Sequence, residues 1–172
     1  MLESPTQRVC FRVTGAESEG DLLEIEFELV PGAELLATHV HPRSEERFEV
    51  VSGTLVVSCA GEDVLLAPGE RLALPAGVAH TVRNPGSEKS VAFVSWRPAG
   101  RMGDVLEFLF RVRESGRMIA GKPEPLRLAA CLVACPDEIY LARIPIRLQK
   151  AAARLLAPAG RALLRRDERR PT

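Results

Sequence analysis

Glycine recurs at nearly even intervals through the middle of the chain, and this spacing limits the folds that the chain can adopt. Gly53, Gly61, Gly69 and Gly77 follow one another at intervals of eight residues, and Gly86 comes soon after. The stretches between them are short, apolar runs, and no ten-residue helical pattern interrupts residues 9–97. Short, evenly spaced strands with Gly and Pro turns are typical of an all-β sandwich or small barrel, and they argue against a parallel α/β fold.

The stretch LLEIEFELVPG, residues 22–32, shows the strand period most clearly. Ile25, Phe27 and Leu29 alternate with Glu24 and the glutamates that follow it. Successive side chains of a strand point to opposite faces, so the pattern predicts one apolar face and one acidic face.

After residue 100 the apolar period changes from that of a strand to that of a helix. The first helical stripe consists of Met102, Val105, Leu109 and Val112. Residues 125–135 predict a second helix that has Pro at its start, and residues 146–164 predict a third, which Pro158 kinks or divides. The prediction is therefore mainly β for residues 1–100, followed by a helical extension, residues 101–172.

The distribution of charge supports a division into two units. The chain has no formal net charge, but residues 1–100 carry 8 Lys or Arg and 15 Asp or Glu, and the remaining residues carry 15 and 8. We expect the basic extension to pack on the β domain or on a second copy of the chain. Its arginines are scattered among apolar positions without a helix-turn-helix pattern, so neither nucleic acid nor a membrane is a predicted partner.

The start of the chain and its cysteines bear on the compartment. The sequence MLESPTQRVC lacks the charged-then-apolar pattern of a secretory signal, and the longest apolar run, residues 128–135, is too short to cross a bilayer. The four cysteines form no CxxC pair and are interpreted as reduced thiols. We expect a cytoplasmic protein.

The stretch THVHPRSEERFEVVSG, residues 38–53, places three potential metal ligands close together. His39 and His41 lie two apart on a strand, so both imidazoles leave the same face. A turn then allows Glu46 to return to that face from the neighbouring strand, and His80 opens a later strand. Three imidazole nitrogens and one carboxylate suit a borderline divalent metal. Glu45 is the alternative to Glu46, but adjacent strand residues point to opposite faces, so both cannot ligate easily.

Two spaced motifs resemble those of the cupin superfamily. The first is G-x6-H-x-H-x4-E-x6-G, from Gly32 to Gly53, which is one residue longer than the common form before its first His. The second is G-x5-P-x-G-x2-H-x3-N, from Gly69 to Asn84. The resemblance covers roughly residues 20–98 and is strong because both motifs are present. It implies a cupin double-stranded β-helix, or jelly-roll barrel, in a small bacterial single-domain cupin with a C-terminal helical extension.

The resemblance implies a metal site with open coordination positions, and it leaves the metal undetermined among Fe, Mn, Ni, Co, Zn and Cu. Our hypothesis is a metal-dependent, dioxygenase-like oxidoreductase that acts on a small chelating enolic or aromatic substrate. The alternatives are a cupin isomerase or decarboxylase, and a non-catalytic cupin that binds a small molecule. Cupins commonly dimerise, so a homodimer is expected.

The substrate pocket is assigned to the interior of the barrel by strand phase. Residues that share a strand face with Glu46 or His80, together with one residue of the last strand, are Phe48, Val50, Val82, Asn84 and Phe93. Such an apolar interior disfavours a phosphorylated sugar, which would need inward Arg or Lys. The same apolar side chains could instead belong to the core.

Overall fold

The computed structural model describes residues 1–168 of the chain. The strands are β1 (Leu2–Ser4), β2 (Gln7–Val13), β3 (Leu23–Leu29), β4 (His39–Val40), β5 (Glu45–Ser52), β6 (Leu55–Cys59), β7 (Glu62–Leu66), β8 (Arg71–Leu74), β9 (His80–Arg83), β10 (Ser90–Arg97), β11 (Met118–Ile119), β12 (Lys122–Pro123) and β13 (Tyr140–Leu141). The helices are α1 (Met102–Glu114), α2 (Pro125–Ala134) and α3 (Ile146–Glu168). The prediction of a mainly β fold followed by a helical region is confirmed.

Strands β3 to β10 form two antiparallel four-stranded layers. One layer has the order β3-β10-β5-β8 and the other has the order β4-β9-β6-β7. This alternation of the chain between two sheets is the double Greek key of a jelly roll. Strands β1 and β2 extend the first sheet beyond β3, and β13 extends the second sheet beyond β4.

The core lies between the two sheets and follows the strand alternation. Ile25 and Phe27 on β3 are buried against Val57 and Val82 of the facing sheet, in one continuous cluster. The glutamates of β3 take the opposite face, where Arg12 pairs with Glu24 and also contacts the next glutamate. Removing these apolar side chains from water is the main driving force for the fold.

The glycines that mark the predicted turns adopt backbone conformations that suit glycine. Gly53, Gly61, Gly69 and Gly77 all have positive φ values, between 69° and 87°. At Gly53 there is a second constraint, since a Cβ atom there would lie 2.8 Å from the Cα of Ser90. The periodic glycines therefore mark turns between strands, as the sequence indicated.

The helical extension adds a strand to the second sheet and packs a helix into the main core. Strand β13 pairs antiparallel with β4, with Tyr140 opposite Val40. Helix α1 packs into the main core through Met102 and Phe110. Strand β13 carries too short an apolar run to be noticed in the sequence, and it was not predicted.

Helices α2 and α3 pack closely against each other in the outer part of the extension. Ala153 of α3 belongs to a small cluster with Ala129 and Leu132 of α2. Of the two alternatives for Pro158, division of the third helix is wrong, because α3 runs through this residue, and a kink stays a prediction. Within the described part of the chain, no helix has the length and apolar character needed to span a membrane.

Candidate metal centre

Four buried side chains converge at one end of the space between the sheets. His39 lies on β4 directly opposite His80 on β9, and His41 follows immediately after β4. Glu46 lies on β5, in the facing sheet. One ligand atom from each residue lies within 4.8 Å of the other three. The sequence predicted that Glu46 would return from a neighbouring strand, and this is corrected: the chain crosses to the facing sheet between His41 and Glu46.

The backbone fixes the same tautomer in all three histidines. The Nδ1 atom of His39 lies 3.1 Å from the carbonyl oxygen of Ala37, and that of His80 lies 3.0 Å from the carbonyl of Val78. The Nδ1 atom of His41 lies 2.7 Å from the carbonyl of Glu138. A carbonyl only accepts, so each Nδ1 carries the proton and each Nε2 keeps its lone pair. The three lone pairs are left to face a common point.

The arrangement leaves buried acceptors without donors. The Nε2 of His80 lies 2.6 Å from Oε2 of Glu46, and the Nε2 of His41 lies 3.5 Å from the same oxygen. None of these three atoms has a hydrogen-bond partner. Orphaned buried polar atoms are costly, and ligands about 2.1 Å from an ion can be up to about 4.2 Å apart. The donor types and the two distances to Glu46 therefore fit a divalent cation, and the ligand atom of His39 lies within 4.8 Å of the other ligand atoms.

Electrostatics favour uncharged imidazoles at two of the three positions. Burial lowers the pKa of His39 well below its usual value, and the neighbouring histidines add to the effect. Burial also lowers the pKa of His41, although Glu46 opposes it. Burial is also the largest single effect on His80 and lowers its pKa, but the close contact with Glu46, the charge of Glu46 and the Val78 carbonyl together outweigh burial, so the pKa of His80 is raised. A proton between His80 and Glu46 occupies the place that a cation would take, since metal ligation needs the neutral imidazole.

The choice between the two adjacent glutamates is resolved by their environments. Glu46 is buried, with 3% of its surface exposed. Glu45 points to the outer face of β5, where it pairs with Arg47. Only Glu46 lies with the three histidines.

A cavity adjoins the four side chains, and helix α1 forms part of its wall. Its volume is about 30 Å³, which is room for about two water molecules. The α1 residues that line it are Met102, Leu106, Leu109 and Phe110. The remaining walls come mostly from apolar side chains of the first sheet, such as Ile25 and Phe27.

Two polar atoms in the cavity wall are buried and unpaired. They are Oε1 of Gln7 and Nε1 of Trp96. The Trp96 ring lies near the metal-ligand cluster, with its centroid 6.2 Å from that of His41. One atom accepts and the other donates a hydrogen bond, so a bound molecule could satisfy both.

The five residues assigned to the pocket from sequence lie in different environments. Phe48 lines the cavity. Val50 and Val82 are buried in the core and are not among the described lining residues. The Asn84 amide donates to the carbonyls of Leu29 and Glu88 and accepts from the backbone of Gly86, so its polar atoms are occupied in a turn.

The assignment of Phe93 to the pocket is corrected by the register of β10. Phe93 pairs with Glu26 of β3 and Glu49 of β5, which puts it on the outer face of the sheet. There the Arg12 guanidinium lies 4.3 Å from the centre of its ring. The inward phase of β10 carries Trp96 instead. Both phases of SVAFVSW contain apolar side chains, so the sequence alone does not select between them.

Other contributors to the site carried little or no sequence signal. Glu138 acts through its backbone carbonyl, which any residue type could provide. Gln7 lies on β2, outside the two motifs. The α1 residues were identified as a helical stripe, but their position at the cavity depends on tertiary packing.

Part of the chain is similar in sequence to a known family and to a curated protein. Residues 25–96 match the Cupin_2 family, described as a cupin domain. A curated relative is the tetracenomycin polyketide synthase protein TcmJ of Streptomyces glaucescens, which is 38% identical over 60 residues. That match covers 35% of this chain and 40% of TcmJ.

Solved structures resemble the β domain. The protein TT1209 of Thermus thermophilus is 26% identical with a TM-score of 0.50, over 57% of this chain and 89% of that one. A predicted oxalate decarboxylase of Thermotoga maritima has a TM-score of 0.51 at 18% identity, over 54% of this chain and 80% of that one. The latter likeness concerns the fold alone.

Proposed function

Residues 25–96 of this chain form a cupin domain, and from this premise we propose that the protein is a metal-dependent, oxygenase-like oxidoreductase. Its substrate is a small, chelating enolic or aromatic compound. His39, His41, Glu46 and His80 hold one divalent first-row transition metal. When bound, such an ion supplies Lewis acidity, open coordination positions and, for a redox-active metal, electrons.

The observation that carries the proposal is the set of three imidazole nitrogens and one carboxylate that face one another beside a buried cavity. The Nδ1 atoms are held by carbonyls on β-strand ends and on the extension. Hydrogen bonds of this type orient metal-binding histidines and make them more basic. The cluster is thus pre-organised for a cation before the cation arrives.

The cavity walls support a substrate with few charges. None of the described residues that line it is Lys or Arg, which disfavours a phosphorylated compound. Gln7 and Trp96 offer one acceptor and one donor beside the apolar walls. This combination suits a molecule with a hydroxyl or carbonyl edge and an apolar body.

The likeness to TcmJ agrees with this substrate class. Polyketides are built from carbonyl groups that enolise and form phenols, and neighbouring oxygens of that kind chelate metals. The shared stretch is short, so the whole activity of TcmJ is not transferred to this chain.

Helix α1 gives the site a means of excluding water. A cavity of about 30 Å³ cannot admit an aromatic compound without displacement of its wall, and α1 contributes four of the residues that form that wall. In this proposal α1 moves outward when the substrate enters, and its return removes the substrate from bulk water.

The test is oxygen uptake by protein loaded separately with Fe(II), Mn(II) or Ni(II), in the presence of catechols and β-dicarbonyl compounds. We expect uptake with one redox-active metal and its loss in His39→Ala. Glu45→Gln is the matched control for Glu46→Gln, because Glu45 lies outside the cluster. If no metal supports uptake, the oxygenase proposal is wrong.

Two further outcomes would assign the site to the alternatives. A compound that raises the Tm of the metal-loaded protein but is recovered unchanged indicates a non-catalytic cupin. A compound that is rearranged or loses carbon dioxide without oxygen uptake indicates an isomerase or decarboxylase.

A further inference from the structure

Helix α3 has three distinct faces along its length. Its buried face consists of Gln149, Ala153, Ala157 and Gly160, which recur at helical spacing against α2. Arg147, Arg154 and Arg161 recur every seven residues and form a second, exposed face. Leu148 and Leu155, also seven apart, form a third face that is exposed and apolar.

The arginines of α3 differ from those of the jelly roll in having no ionic partners. On the jelly roll, Arg47 pairs with Glu45, and Arg71 pairs with Glu49. Among the described side chains, Arg147, Arg154 and Arg161 form no ion pair. A row of exposed guanidinium groups without local counterions attracts an anionic partner.

The apolar face of α3 continues into a groove shared with α2 and the β11–β12 hairpin. The groove has a volume of about 390 Å³ and includes Ile119, Ile144, Leu148 and Leu156. None of the described residues that line it is acidic, and Lys122 lies at the hairpin. Leu155 beside it is 82% exposed. A contiguous exposed apolar surface of this kind marks an interaction site.

The charges on α3 favour one class of binding partner over the others. Symmetric docking of a second copy on this face would bring two rows of unpaired arginines together, with no acidic side chain in the groove to offset them. Nucleic acid would satisfy the arginines but not the leucines, since its contacts are mainly with phosphates. An anionic bilayer surface satisfies both, because phosphates lie beside an apolar layer.

We propose that α3 and the β11–β12 hairpin form a peripheral docking surface for anionic lipid. Leu148 and Leu155 insert at the boundary between headgroups and acyl chains, and Arg147, Arg154 and Arg161 contact lipid phosphates. The helix lies flat on the surface, as amphipathic basic helices do. The groove shares no described lining residue with the cavity at the metal centre, and the proposal revises the expectation from sequence that no membrane is involved.

The experiment is sedimentation of the full chain with vesicles of phosphatidylcholine, alone or mixed with phosphatidylglycerol. We expect about tenfold or greater enrichment on the anionic vesicles, and a decrease as salt is raised. Leu155→Glu should abolish binding, and the double variant Arg147→Gln/Arg154→Gln should weaken it about tenfold or more. Leu155 is too exposed for this change to disturb folding, and circular dichroism checks that.

Leu65→Glu is the matched control, because Leu65 is an exposed leucine (59%) on β7, in the jelly roll. It should bind vesicles as the unmodified chain does. Equal loss in Leu65→Glu, equal binding to neutral vesicles, or no binding of the unmodified chain would each overturn the proposal. Sedimentation velocity tests whether the face joins two copies of the chain instead. If the unmodified chain is a dimer that does not bind vesicles, and Leu155→Glu dissociates this dimer, the lipid proposal is wrong.

Discussion

At the scale of single residues, metal binding depends on which ring nitrogen of each histidine carries the proton. Each histidine donates its Nδ1 proton to a backbone carbonyl, so its Nε2 cannot also donate to Glu46 in the neutral state. The contact of 2.6 Å between His80 and Glu46 is therefore stable only with a proton or a cation between the two atoms. The carbonyls of Ala37, Val78 and Glu138 fix the tautomers of the three histidines. These tautomers leave the Nε2 lone pairs free to bind a cation.

Replacing Glu46 by Gln tests the carboxylate with almost no change in volume. We expect Glu46→Gln to lower the affinity for a divalent metal by about a hundredfold or more, because even partners of ligands contribute up to about a hundredfold. Glu45→Gln should leave the affinity unchanged. Competition with a chromogenic chelator measures both, and equal affinities in the two variants would contradict the assignment of Glu46 as a ligand.

The pKa shifts predict the pH dependence of the metal-free protein. Burial lowers the pKa values of His39 and His41, so the unfolded chain binds more protons than the folded chain near and below the usual value of 6.5. The free energy of unfolding should therefore decrease as the pH falls through this range. His80 has a raised pKa, so its contribution to stability changes with pH in the opposite direction. Two histidines have lowered pKa values and only one has a raised value, so we expect the net stability to fall on acidification.

Urea unfolding of chelator-treated protein at neutral and mildly acidic pH measures this dependence. His39→Gln removes one of the two lowered groups and should flatten the profile. A metal-free protein that becomes more stable on acidification would contradict the prediction. With metal bound, the loss of stability on acidification should be steeper, because protons compete for the Nε2 atoms.

At the scale of elements, the approach of α3 to α2 depends on the absence of a side chain at Gly160. A Cβ atom there would overlap the carbonyl oxygen of Leu126 and lie 3.1 Å from the Cβ of Ala130. We expect Gly160→Ala to lower the free energy of unfolding by about 1–3 kcal/mol through overpacking. Gly103→Ala on α1 is the control, since nothing lies within 4 Å of its added Cβ.

The control should change stability in the opposite direction. Alanine inside a helix is favoured over glycine by roughly 0.5–1 kcal/mol, so Gly103→Ala should stabilise the protein slightly. Urea denaturation of both variants provides the measurement. Equal effects of the two substitutions would mean that the helices do not meet at Gly160.

Helix α1 is anchored over the cavity by Arg113 near its C-terminal end. The guanidinium donates to the carbonyl of Leu35 at 2.6 Å and to Oγ1 of Thr6 at 3.2 Å. Hydrogen bonds from charged donors contribute about 1.5–3 kcal/mol, so Arg113→Ala should favour opening of α1. We expect a chelator to remove bound metal about tenfold faster from this variant than from Glu107→Ala, an exposed substitution on the same helix. Equal removal rates would exclude α1 as the barrier.

The sequence predicted the strands, helices and turns that local residue patterns determine. It did not predict features that depend on strand register or on tertiary contacts. The alternation of β3 and the glycine turns follow from local chemistry. Phe93 was assigned to the wrong face because either phase of SVAFVSW provides apolar side chains, and only pairing with Glu26 selects one. Strand β13 has no pattern of its own, because its two residues are ordered by pairing with β4.

The same distinction applies to the metal centre. Two spaced motifs identified all four candidate ligands, since each ligand is a side chain of a characteristic type. The carbonyl of Glu138 and the cavity wall from α1 depend on how residues 101–168 fold back, which spacing does not reveal. The assignment of the four residues as metal ligands stays a prediction until metal content is measured by elemental analysis of the purified protein.

At the scale of the whole molecule, the two parts of the chain carry opposite net charge. The jelly roll satisfies much of its charge locally, whereas Arg147, Arg154 and Arg161 of α3 form no ion pair with any described side chain. The homodimer and the boundary at residue 100 stay predictions. Strand β13 nevertheless completes the second sheet beyond β4, so the extension covers an edge that would otherwise be open to pairing.

Ending the chain at Gly100 tests how far the jelly roll depends on the extension. The truncation removes α1 from the cavity, β13 from the edge of β4, and the carbonyl that orients His41. Exposing the edge of β4 and the residues that α1 covers should lower the Tm and promote aggregation. Loss of the Glu138 contact should also weaken metal affinity by about tenfold or more. Calorimetry, light scattering and metal titration of the shortened and full chains measure these effects. A shortened chain that is monodisperse, equally stable and equally able to bind metal would show that the jelly roll is autonomous and that the extension serves only the surface carried by α3.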